Sequence, residues 1–495
     1  MSISSHVLSA VFSDETPSYR YPSEPDPWES VLIRLRTAKN SARRVQLLFG
    51  NLRFGALMVR RESDAYFDYY EAGLVCTKEE VIYRFLIDCE DGGRIAYDKS
   101  GARAVQGNRP EFNDAYAFRF KPGFHVPDWA KGAVQYQIFP DRFCNGDPTN
   151  DVTANEYYYT AGHVRHVDHW DAAPMDTDFR CFYGGDLPGV MEKLDYLQSI
   201  GVEVIYLNPI FLSPSSHKYD TQDYEHIDPH FGVIADDTEY EMREWEHHNG
   251  YAVRYLKRVL SKKNLRRSDA LFAKLCGEMH RRGMKIILDG VFNHCGSFHR
   301  WMDREGVYLN KPGFKRGAYQ DEKSPYRPYF RFTEEAPGYE AWWGVETLPK
   351  LCYEQSRSLC EEIFSVAEKW LRPPYSIDGW RLDVAADLGH SREFNHEFWR
   401  EFRSRVKAVN PEALIIAEHY GDATDWLQGD QWDTVMNYDA FMEPLTFFLT
   451  GLEKHSDGSR EELRNDGPAF FETMRLNMAH GSSSVVPSQA FSGMQ

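Results

Sequence analysis

Charged side chains interrupt a short apolar segment of the chain, Asp378-Gly-Trp-Arg-Leu-Asp383. In a strand, alternate residues face the same side, so Arg381 and Asp383 share one face. A strand buried on both faces is nearly all apolar, and burying an unpaired charge is costly. Arg381 and Asp383 therefore either form a structural ion pair that caps the strand or project together into a functional cleft.

Two other apolar runs also end in polar residues. Lys285-Ile-Ile-Leu288 and Leu414-Ile-Ile-Ala417 both resemble buried strands. The polar residues that follow them are Asp289, Asn293, His294, Glu418 and His419. Catalytic residues of barrel enzymes come from the ends of several different strands, so the whole set favours one shared site over unrelated structural contacts.

Two carboxylates on neighbouring strands, Asp383 and Glu418, suit glycoside hydrolysis. One carboxylate attacks the anomeric carbon while the other donates a proton to the leaving oxygen. Arg381 is expected to hold the pKa of Asp383 low and keep it ionised. The apolar run before Glu418 is expected to raise its pKa and keep it protonated. The alternative is a salt-bridged pair of strand ends without catalysis.

Strands that alternate with helices must position these side chains. From residue 131 onward, apolar runs alternate with helical stretches such as Val190 to Ile200 and Ser268 to Arg282. This alternation predicts a parallel sheet with right-handed crossovers, of which a TIM-type (β/α)8 barrel is the leading form. Two insertions, 236–267 and 295–349, interrupt the pattern. The second is rich in aromatic residues and is expected on the C-terminal face of the barrel, where barrel enzymes place their sites.

The first 125 residues have a different pattern. Runs such as Val31 to Arg36 and Val81 to Ile87 are separated by turn residues, for example Asp91-Gly92-Gly93. This pattern predicts an N-terminal β-sandwich. We expect four segments: the sandwich over 1–125, the first part of the barrel over 131–294, an inserted domain over 295–350, and the rest of the barrel over 351–495.

Composition excludes some classes of function. The chain of 495 residues carries a net charge of −18, which argues against nucleic acid as a partner, because basic patches drive that binding. The eight cysteines show neither a CxxC pair nor regular spacing, so free thiols in a reducing compartment are expected. Neither a signal peptide nor a membrane-spanning apolar run is found. We therefore expect a cytoplasmic protein with no membrane partner.

The motifs resemble those of the α-amylase family, glycoside hydrolase family 13, and within it neopullulanase, cyclomaltodextrinase and amylopullulanase enzymes. The three strand ends match the first three sequence regions of that family. Supporting segments are Tyr136 to Phe143, Phe182 to Leu187, Lys218 to Thr221 and Val435 to Tyr438. The resemblance extends from about residue 131 to about 455, and the N-terminal sandwich resembles a starch-binding module.

The resemblance implies a retaining α-glucan hydrolase that cleaves α-1,4 bonds, with α-1,6 bonds as a further candidate, in pullulan, cyclodextrins or maltodextrins. Asp383 would be the nucleophile that forms a glucosyl-enzyme ester, and Glu418 the general acid/base. The resemblance gives substrate-binding roles to Arg381, His294, Tyr219, Asp289, Asn293 and His419. It also suggests a homodimer formed through the N-terminal domain.

Four Asn and Asp side chains, which carry oxygen ligands, occur in one predicted turn, Asn145-Gly-Asp147-Pro-Thr-Asn150-Asp151. Such ligands suit a hard cation, whereas the alternative is an ordinary turn that is rich in Asp and Asn. The resemblance adds Asp186 and the carbonyl of Gly184, and implies that the cation is Ca²⁺ with a structural role.

The C-terminal part departs from the family pattern. We count six candidate strands, the last at Asp433 to Met436, where a closed barrel needs eight, and the His-Asp pair of the fourth family region is absent. The barrel is therefore expected to be incomplete at its C-terminus, either as a fragment of a longer enzyme or as an unusual complete barrel. The alternatives to hydrolysis are a catalytically impaired glucan-binding relative and a transglucosidase of the same family.

Overall fold

The computed structural model describes residues 3–49, 54–106, 112–173, 178–453 and 458–478. The last stretch of the chain, residues 479–495, lies outside these residues. Contacts divide the described chain into two units. One contains the residues before 133 together with those after 418, and the other contains residues 133–418. The four predicted segment boundaries stay predictions.

The N-terminal part of the first unit contains two antiparallel sheets. The strands of the first sheet, in spatial order, are Arg20–Tyr21, Ser30–Ala38, Phe67–Val75 and Val59–Ser63. Those of the second are Phe54–Leu57, Ala42–Phe49, Val81–Cys89, Arg94–Asp98 and Gly101–Ala104, with Phe118–Phe120 paired to Val81–Cys89.

Alternation of side chains explains how these sheets pack. In Ser30–Ala38 the apolar Val31, Ile33 and Leu35 are buried, whereas the two residues between them are exposed or half-buried. They share one apolar cluster with Val45 and Leu47 from the second sheet. Two sheets that bury their facing apolar sides against each other form a sandwich, so the prediction of an N-terminal β-sandwich is confirmed.

The C-terminal part of the first unit is mainly helical. It contains a short strand at Thr434–Val435, a π-helix at Tyr438–Met442, and helices at Glu443–Thr450 and Gly467–Met478. Gly451 ends the first of these helices with a φ of 73°, a left-handed conformation that glycine adopts without steric cost. The strand coincides with the sixth candidate of the sequence analysis.

The second unit is built on five parallel strands. In chain order and in spatial order they are β1 (Gln135–Ile138), β2 (Val204–Leu207), β3 (Lys285–Gly290), β4 (Gly379–Leu382) and β5 (Leu414–Ala417). All residues of β2, β4 and β5 are buried, as expected for strands that are covered on both faces. The prediction of a TIM-type α/β barrel is confirmed.

Helices separate these strands along the chain. They are Leu187–Glu192, Leu194–Ser199, Val253–Leu260, α1 (Lys262–Arg281), α2 (Arg357–Leu371) and α3 (Arg392–Val409). Short paired strands lie at Tyr158–Tyr159, Gly162–His163, Arg165–His166, Cys181–Phe182, Phe211–Leu212 and Asp223–Ile227. Among the described residues, no helix has both the length and the apolar character needed to cross a membrane.

The insertion after β3 has little regular secondary structure. It contains 3-10 turns at Arg327–Tyr329 and Trp342–Gly344 and several isolated β-bridges, one of which joins His294 to Lys350. A long irregular segment after a barrel strand lies near the strand ends where barrel enzymes carry their sites. This bridge brings the end of the insertion back to the end of β3.

Candidate active site

Strand register places the key side chains at one end of the parallel sheet. Asp289 in β3 and Arg381 in β4 are direct partners across the two strands. Asp383 is the first residue after β4, and its backbone N–H donates to the carbonyl of Gly290 at 3.1 Å. Glu418 directly follows β5, and its N–H donates to Leu382 O at 2.8 Å. The C-terminal ends of three adjacent strands thus bring three carboxylates together.

The Arg381 guanidinium connects these three carboxylates. Its Nη1 donates to Asp289 Oδ1 at 3.0 Å and to Asp383 Oδ1 at 2.8 Å. Its Nη2 lies 2.9 Å from Glu418 Oε2. The same Glu418 oxygen also accepts from the backbone N–H of Val384 at 3.2 Å. One cation thus holds both predicted catalytic carboxylates, and its fixed fork of donors defines their relative positions.

Burial sets the proton affinity of this group. Burial raises the pKa of Asp383 well above its usual range; Arg381 opposes this shift, while Asp289 and Glu418 add to it. Burial likewise raises the pKa of Asp289 against the effect of Arg381. The expectation that Arg381 would hold the pKa of Asp383 low was therefore wrong, because three carboxylates share one guanidinium in a site that water barely reaches.

Two tyrosines fix Asp289 from β2 and the loop after it. The hydroxyls of Tyr206 and Tyr219 both donate to Asp289 Oδ2, the latter at 3.1 Å. Asn208 Nδ2 in turn donates to the Tyr219 hydroxyl at 3.1 Å. Sequence reasoning named Tyr219 but missed Tyr206 and Asn208. The signal for Tyr206 was a hydroxyl within the otherwise apolar run Val204–Leu207.

His294 and Asn293 lie beside this group. His294 Nε2 is 3.2 Å from the carbonyl oxygen of Tyr219, and its Nδ1 is 3.3 Å from Asn293 Nδ2. Burial lowers the pKa of His294 to about 3, so the ring is neutral near pH 7. Trp342 stacks on this ring with centroids 5.2 Å apart. Asn293 Oδ1 is buried without a hydrogen-bond partner, which leaves an acceptor available for a ligand hydroxyl.

His419 is the one predicted substrate-binding residue that falls in the other unit. There its ring packs near the rings of Trp426 and Trp432, with centroids 5.0 Å and 6.0 Å away. The remaining predicted residues, apart from the candidate metal ligands, form the cluster described above. They are Asp289, Asn293, His294, Tyr219, Arg381, Asp383 and Glu418.

A buried ion network supports the loop that carries Tyr219. Lys218, with a φ of 60°, donates from Nζ to Asp228 Oδ2 at 2.6 Å. The His230 ring lies 2.8 Å from both Asp228 Oδ1 and Glu156 Oε1, and Arg258 Nη1 lies 2.8 Å from Glu156 Oε2. Buried charges are stable only when they are paired and hydrogen-bonded, so the network fixes the backbone before Tyr219.

We expect Asp228→Asn to destabilise the protein by about 3–5 kcal/mol, because removing one partner leaves Lys218 buried without its counter-charge. The free energy of unfolding in urea measures this change. Asp195→Asn is the matched control, since Asp195 is an exposed partner of Arg282 and exposed pairs contribute about 0–1 kcal/mol. Equal stability of the two variants would contradict the structural role of the network.

The candidate cation residues split into two groups. Asn145 Oδ1 and Asn150 Oδ1 are buried without hydrogen-bond partners. A Cβ atom at Gly184 would lie 2.6 Å from Asp151 Oδ1, so its backbone closely approaches that carboxylate. Burial, with a further contribution from Asp186, raises the pKa of Asp151 to about 6. A bound cation would offset this unfavourable charge.

Asp186 and Asp147 have other contacts. Asp186 caps the helix Leu187–Glu192 and accepts from the N–H groups of Gly146 and Gly189 at 2.9 Å and 2.7 Å. Asp147 Oδ1 accepts from Thr149 N and Oγ1. The orphaned amide oxygens and Asp151 thus fit an oxygen-ligated cation, whereas Asp147 and Asp186 shape the turn.

The barrel and its cluster of strand-end carboxylates define a class of α/β barrel hydrolase, and comparison with known proteins identifies the family. The alpha-amylase catalytic domain matches residues 137–254 and 248–454. The N-terminal ig-like domain of alpha amylases matches residues 7–122. The chain therefore belongs to the alpha-amylase family.

Several curated proteins are similar over most of the chain. It is 37% identical to neopullulanase 2 of Thermoactinomyces vulgaris over 92% of the chain and 68% of that protein. It is 36% identical to a cyclomaltodextrinase of Thermoanaerobacter pseudethanolicus over 87% of the chain and 65% of the relative. The chain thus spans about two thirds of the length of these relatives.

Two solved structures with this fold cover nearly the whole chain. The type III pullulan hydrolase from Thermococcus kodakarensis has a TM-score of 0.59 and 25% identity, and covers 97% of this chain and 70% of its own. A cyclomaltodextrinase has a TM-score of 0.56 and 28% identity, with the same coverage of both chains. These similarities extend over both the sandwich and the barrel.

Proposed function

We propose that the chain is a retaining hydrolase of α-glucosidic bonds, with Asp383 as nucleophile and Glu418 as general acid/base. The observation that carries this proposal is the Arg381 guanidinium, which holds both carboxylates at the ends of adjacent strands. Membership of the alpha-amylase family supports the same chemistry. Burial raises the pKa of both Asp383 and Asp289, so the three coupled carboxylates readily share one proton. The proposed mechanism requires this proton on Glu418 and an ionised Asp383.

The first step forms a covalent bond to the enzyme. An oxygen of Asp383 attacks the anomeric carbon while the glycosidic C–O bond breaks, and the proton of Glu418 passes to the leaving oxygen. In the second step Glu418, now ionised, takes a proton from water, which attacks the anomeric carbon and releases Asp383. Two displacements at the same carbon retain its configuration.

Neighbouring side chains would position the sugar for both steps. His294 is neutral and buried between Trp342 and the Tyr219 backbone, and its ring nitrogens could exchange these hydrogen bonds for bonds with sugar hydroxyls. Tyr219 is fixed by Asp289, and its ring would contact the bound glucosyl unit. Buried groups held in advance by such contacts need little reorganisation during reaction.

The names of the relatives suggest the substrates. Relatives are called neopullulanase, cyclomaltodextrinase and amylopullulanase, and a structural neighbour is called a pullulan hydrolase. We propose that this chain acts on pullulan, cyclodextrins or maltodextrins. Release of reducing sugar from each of the three tests the proposal, with Asp383→Asn as the inactive control. Equal release by both proteins would overturn it.

A structural Ca²⁺ ion is part of the proposal. The residues that would hold it are Asn145, Asn150, Asp151 and the carbonyl of Gly184. Two amide oxygens without hydrogen-bond partners and one carboxylate whose pKa is raised by burial lie on this turn. When bound, the ion would neutralise Asp151 and tie the turn to the segment at Gly184. It would have no part in the chemical steps.

We expect chelation of Ca²⁺ to lower the melting temperature, and re-addition of Ca²⁺ but not K⁺ to restore it, because binding to the folded state alone stabilises that state. Differential scanning calorimetry with and without EDTA measures the shift. Asp151→Asn should abolish the response. The control Asp168→Asn, which replaces an exposed carboxyl outside this turn, should retain it. An EDTA response that persists in Asp151→Asn would contradict this site.

Two further expectations belong to the proposal. All eight cysteines are free, which supports a reducing compartment such as the cytoplasm. Dimerisation through the N-terminal domain rests on analogy with relatives. Light scattering of the full chain and of a chain without residues 1–125 tests it: a dimer that persists in the shortened chain would overturn it.

A further inference from the structure

A second group of potential ligands lies apart from both sites described above. Within the residues that the structure describes, the side chains of Cys352, Glu354 and His390 each offer one ligand atom, and these atoms all lie within 4.8 Å of one another. Cys352 is fully buried. Glu354 is on the surface, so an ion can enter the group from solvent.

The fold brings these residues together from two separate segments. Cys352 and Glu354 lie at the 3-10 turn Tyr353–Gln355, just before α2. His390 precedes Ser391, the N-cap of α3. Glu354 Oε1 accepts from the backbone N–H groups of His390 and Ser391 at 2.6 Å and 3.2 Å. These bonds hold the carboxylate in place and leave its second oxygen beside the His390 ring.

The His390 ring is oriented by a fourth residue. Its Nε2 lies 2.8 Å from Glu340 Oε2, while its Nδ1 lies 3.2 Å from Glu354 Oε2. If the Nε2 proton is donated to Glu340, the lone pair of Nδ1 faces the Glu354 carboxylate. A carboxylate behind the imidazole is the usual outer partner of a metal-bound histidine. A cation between Nδ1 and Glu354 would then satisfy both groups.

We propose that Cys352, Glu354 and His390 bind a divalent cation of the zinc class, with Glu340 orienting the histidine ring. A thiolate, an imidazole and a carboxylate together suit Zn²⁺ better than Ca²⁺ or Mg²⁺, which prefer oxygen ligands alone. Three protein ligands leave a fourth tetrahedral position for water. The ligands differ entirely from those of the oxygen-rich turn at Asn145.

The ion would lock two segments that reach the candidate active site. His390 ends the loop that begins directly after Asp383, and Cys352 follows the segment that carries Trp342. The same two segments already meet where Trp342 Nε1 donates to Asp387 Oδ2 at 3.0 Å. A metal ion bound by Cys352, Glu354 and His390 would link the C-terminal ends of these two segments and hold both in fixed positions. The proposed role of the ion is therefore structural.

Calorimetric titration of the untagged full chain with Zn²⁺, in excess Ca²⁺ to occupy oxygen sites, tests the proposal. We expect one equivalent to bind, and at least a tenfold loss of affinity in Cys352→Ser and in His390→Gln. The matched control is Cys360→Ser, because Cys360 is also buried and lies in the first turn of α2, outside the group. Unchanged affinity in Cys352→Ser and His390→Gln would overturn the proposal.

Cobalt substitution gives a second test that does not depend on the folding of a variant. Co²⁺ bound through Cys352 should give a thiolate-to-metal charge-transfer absorption in the near ultraviolet, and Zn²⁺ should displace it. Saturation with Co²⁺ without this absorption, or no binding of either ion to the wild-type chain, would show that the group is only a hydrogen-bonded link between the two segments.

Discussion

Replacing Asp383 by Asn is expected to reduce the hydrolysis of pullulan and cyclodextrins by about 10⁴- to 10⁶-fold, as for the loss of other enzymatic nucleophiles. The amide cannot form the glucosyl ester, although it preserves the shape of the side chain and one contact with Arg381. The loss should also hold for aryl glucosides with good leaving groups, because the first bond to the enzyme can no longer form. Initial rates on both classes of substrate measure the effect.

Two controls separate chemistry from folding. Asp195→Asn replaces an exposed carboxyl and should retain wild-type rates. Added azide should restore turnover of an aryl glucoside to Asp383→Ala and give a glucosyl azide of inverted configuration, because the shortened side chain leaves room for a small anion to attack the anomeric carbon. Wild-type rates in Asp383→Asn would refute the assignment of Asp383 as nucleophile. If the melting curve shows that Asp383→Asn is largely unfolded, the azide experiment decides the assignment instead.

The sequence was sufficient to predict the architecture and the centre of the site. Apolar runs of strand length recur between amphipathic helices, and such alternation has few stable packings other than a parallel barrel. Charged residues at the ends of those runs are conspicuous because burial penalises them. The sequence alone therefore identifies Asp289, Arg381, Asp383 and Glu418 as candidate site residues.

Contacts and pKa shifts that depend on several segments at once could not be predicted from the sequence. The pKa of Asp383 was expected to be low because Arg381 is its visible neighbour, but strand register adds Asp289 and Glu418 to the same guanidinium. The contact of Tyr206 with Asp289 likewise follows from the pairing of β2 with β3. No spacing rule predicts such contacts between residues that are distant in the sequence.

The ligand group at Cys352 shows the same limit. Cys352 and His390 are separated by a helix and a strand, and their spacing matches none of the usual zinc motifs. The segments can meet because β3 and β4 are adjacent parallel strands, so the connections that follow them start at the same end of the sheet. Local sequence thus reveals which residues can do chemistry, whereas topology decides which of them act together.

Glu418→Gln is expected to separate the role of the proton from that of the nucleophile. General acid catalysis contributes about 10²- to 10⁴-fold, so the hydrolysis of glucans, whose sugar leaving groups need a proton, should fall by that factor. Gln can still accept the Val384 N–H bond and can keep a contact with Arg381, so the geometry around Asp383 should change little. The values of kcat/KM for glucans and aryl glucosides measure the two effects.

The leaving group then decides the assignment of Glu418. An aryl glucoside with an acidic phenol leaves without protonation, so its first step should be nearly unaffected in Glu418→Gln and strongly reduced in Asp383→Asn. Glu393→Gln, an exposed change in the first turn of α3, should affect neither substrate. Equal losses on both substrates would mean that Glu418 only positions Arg381, since a positioning defect weakens the attack of Asp383 whatever the leaving group.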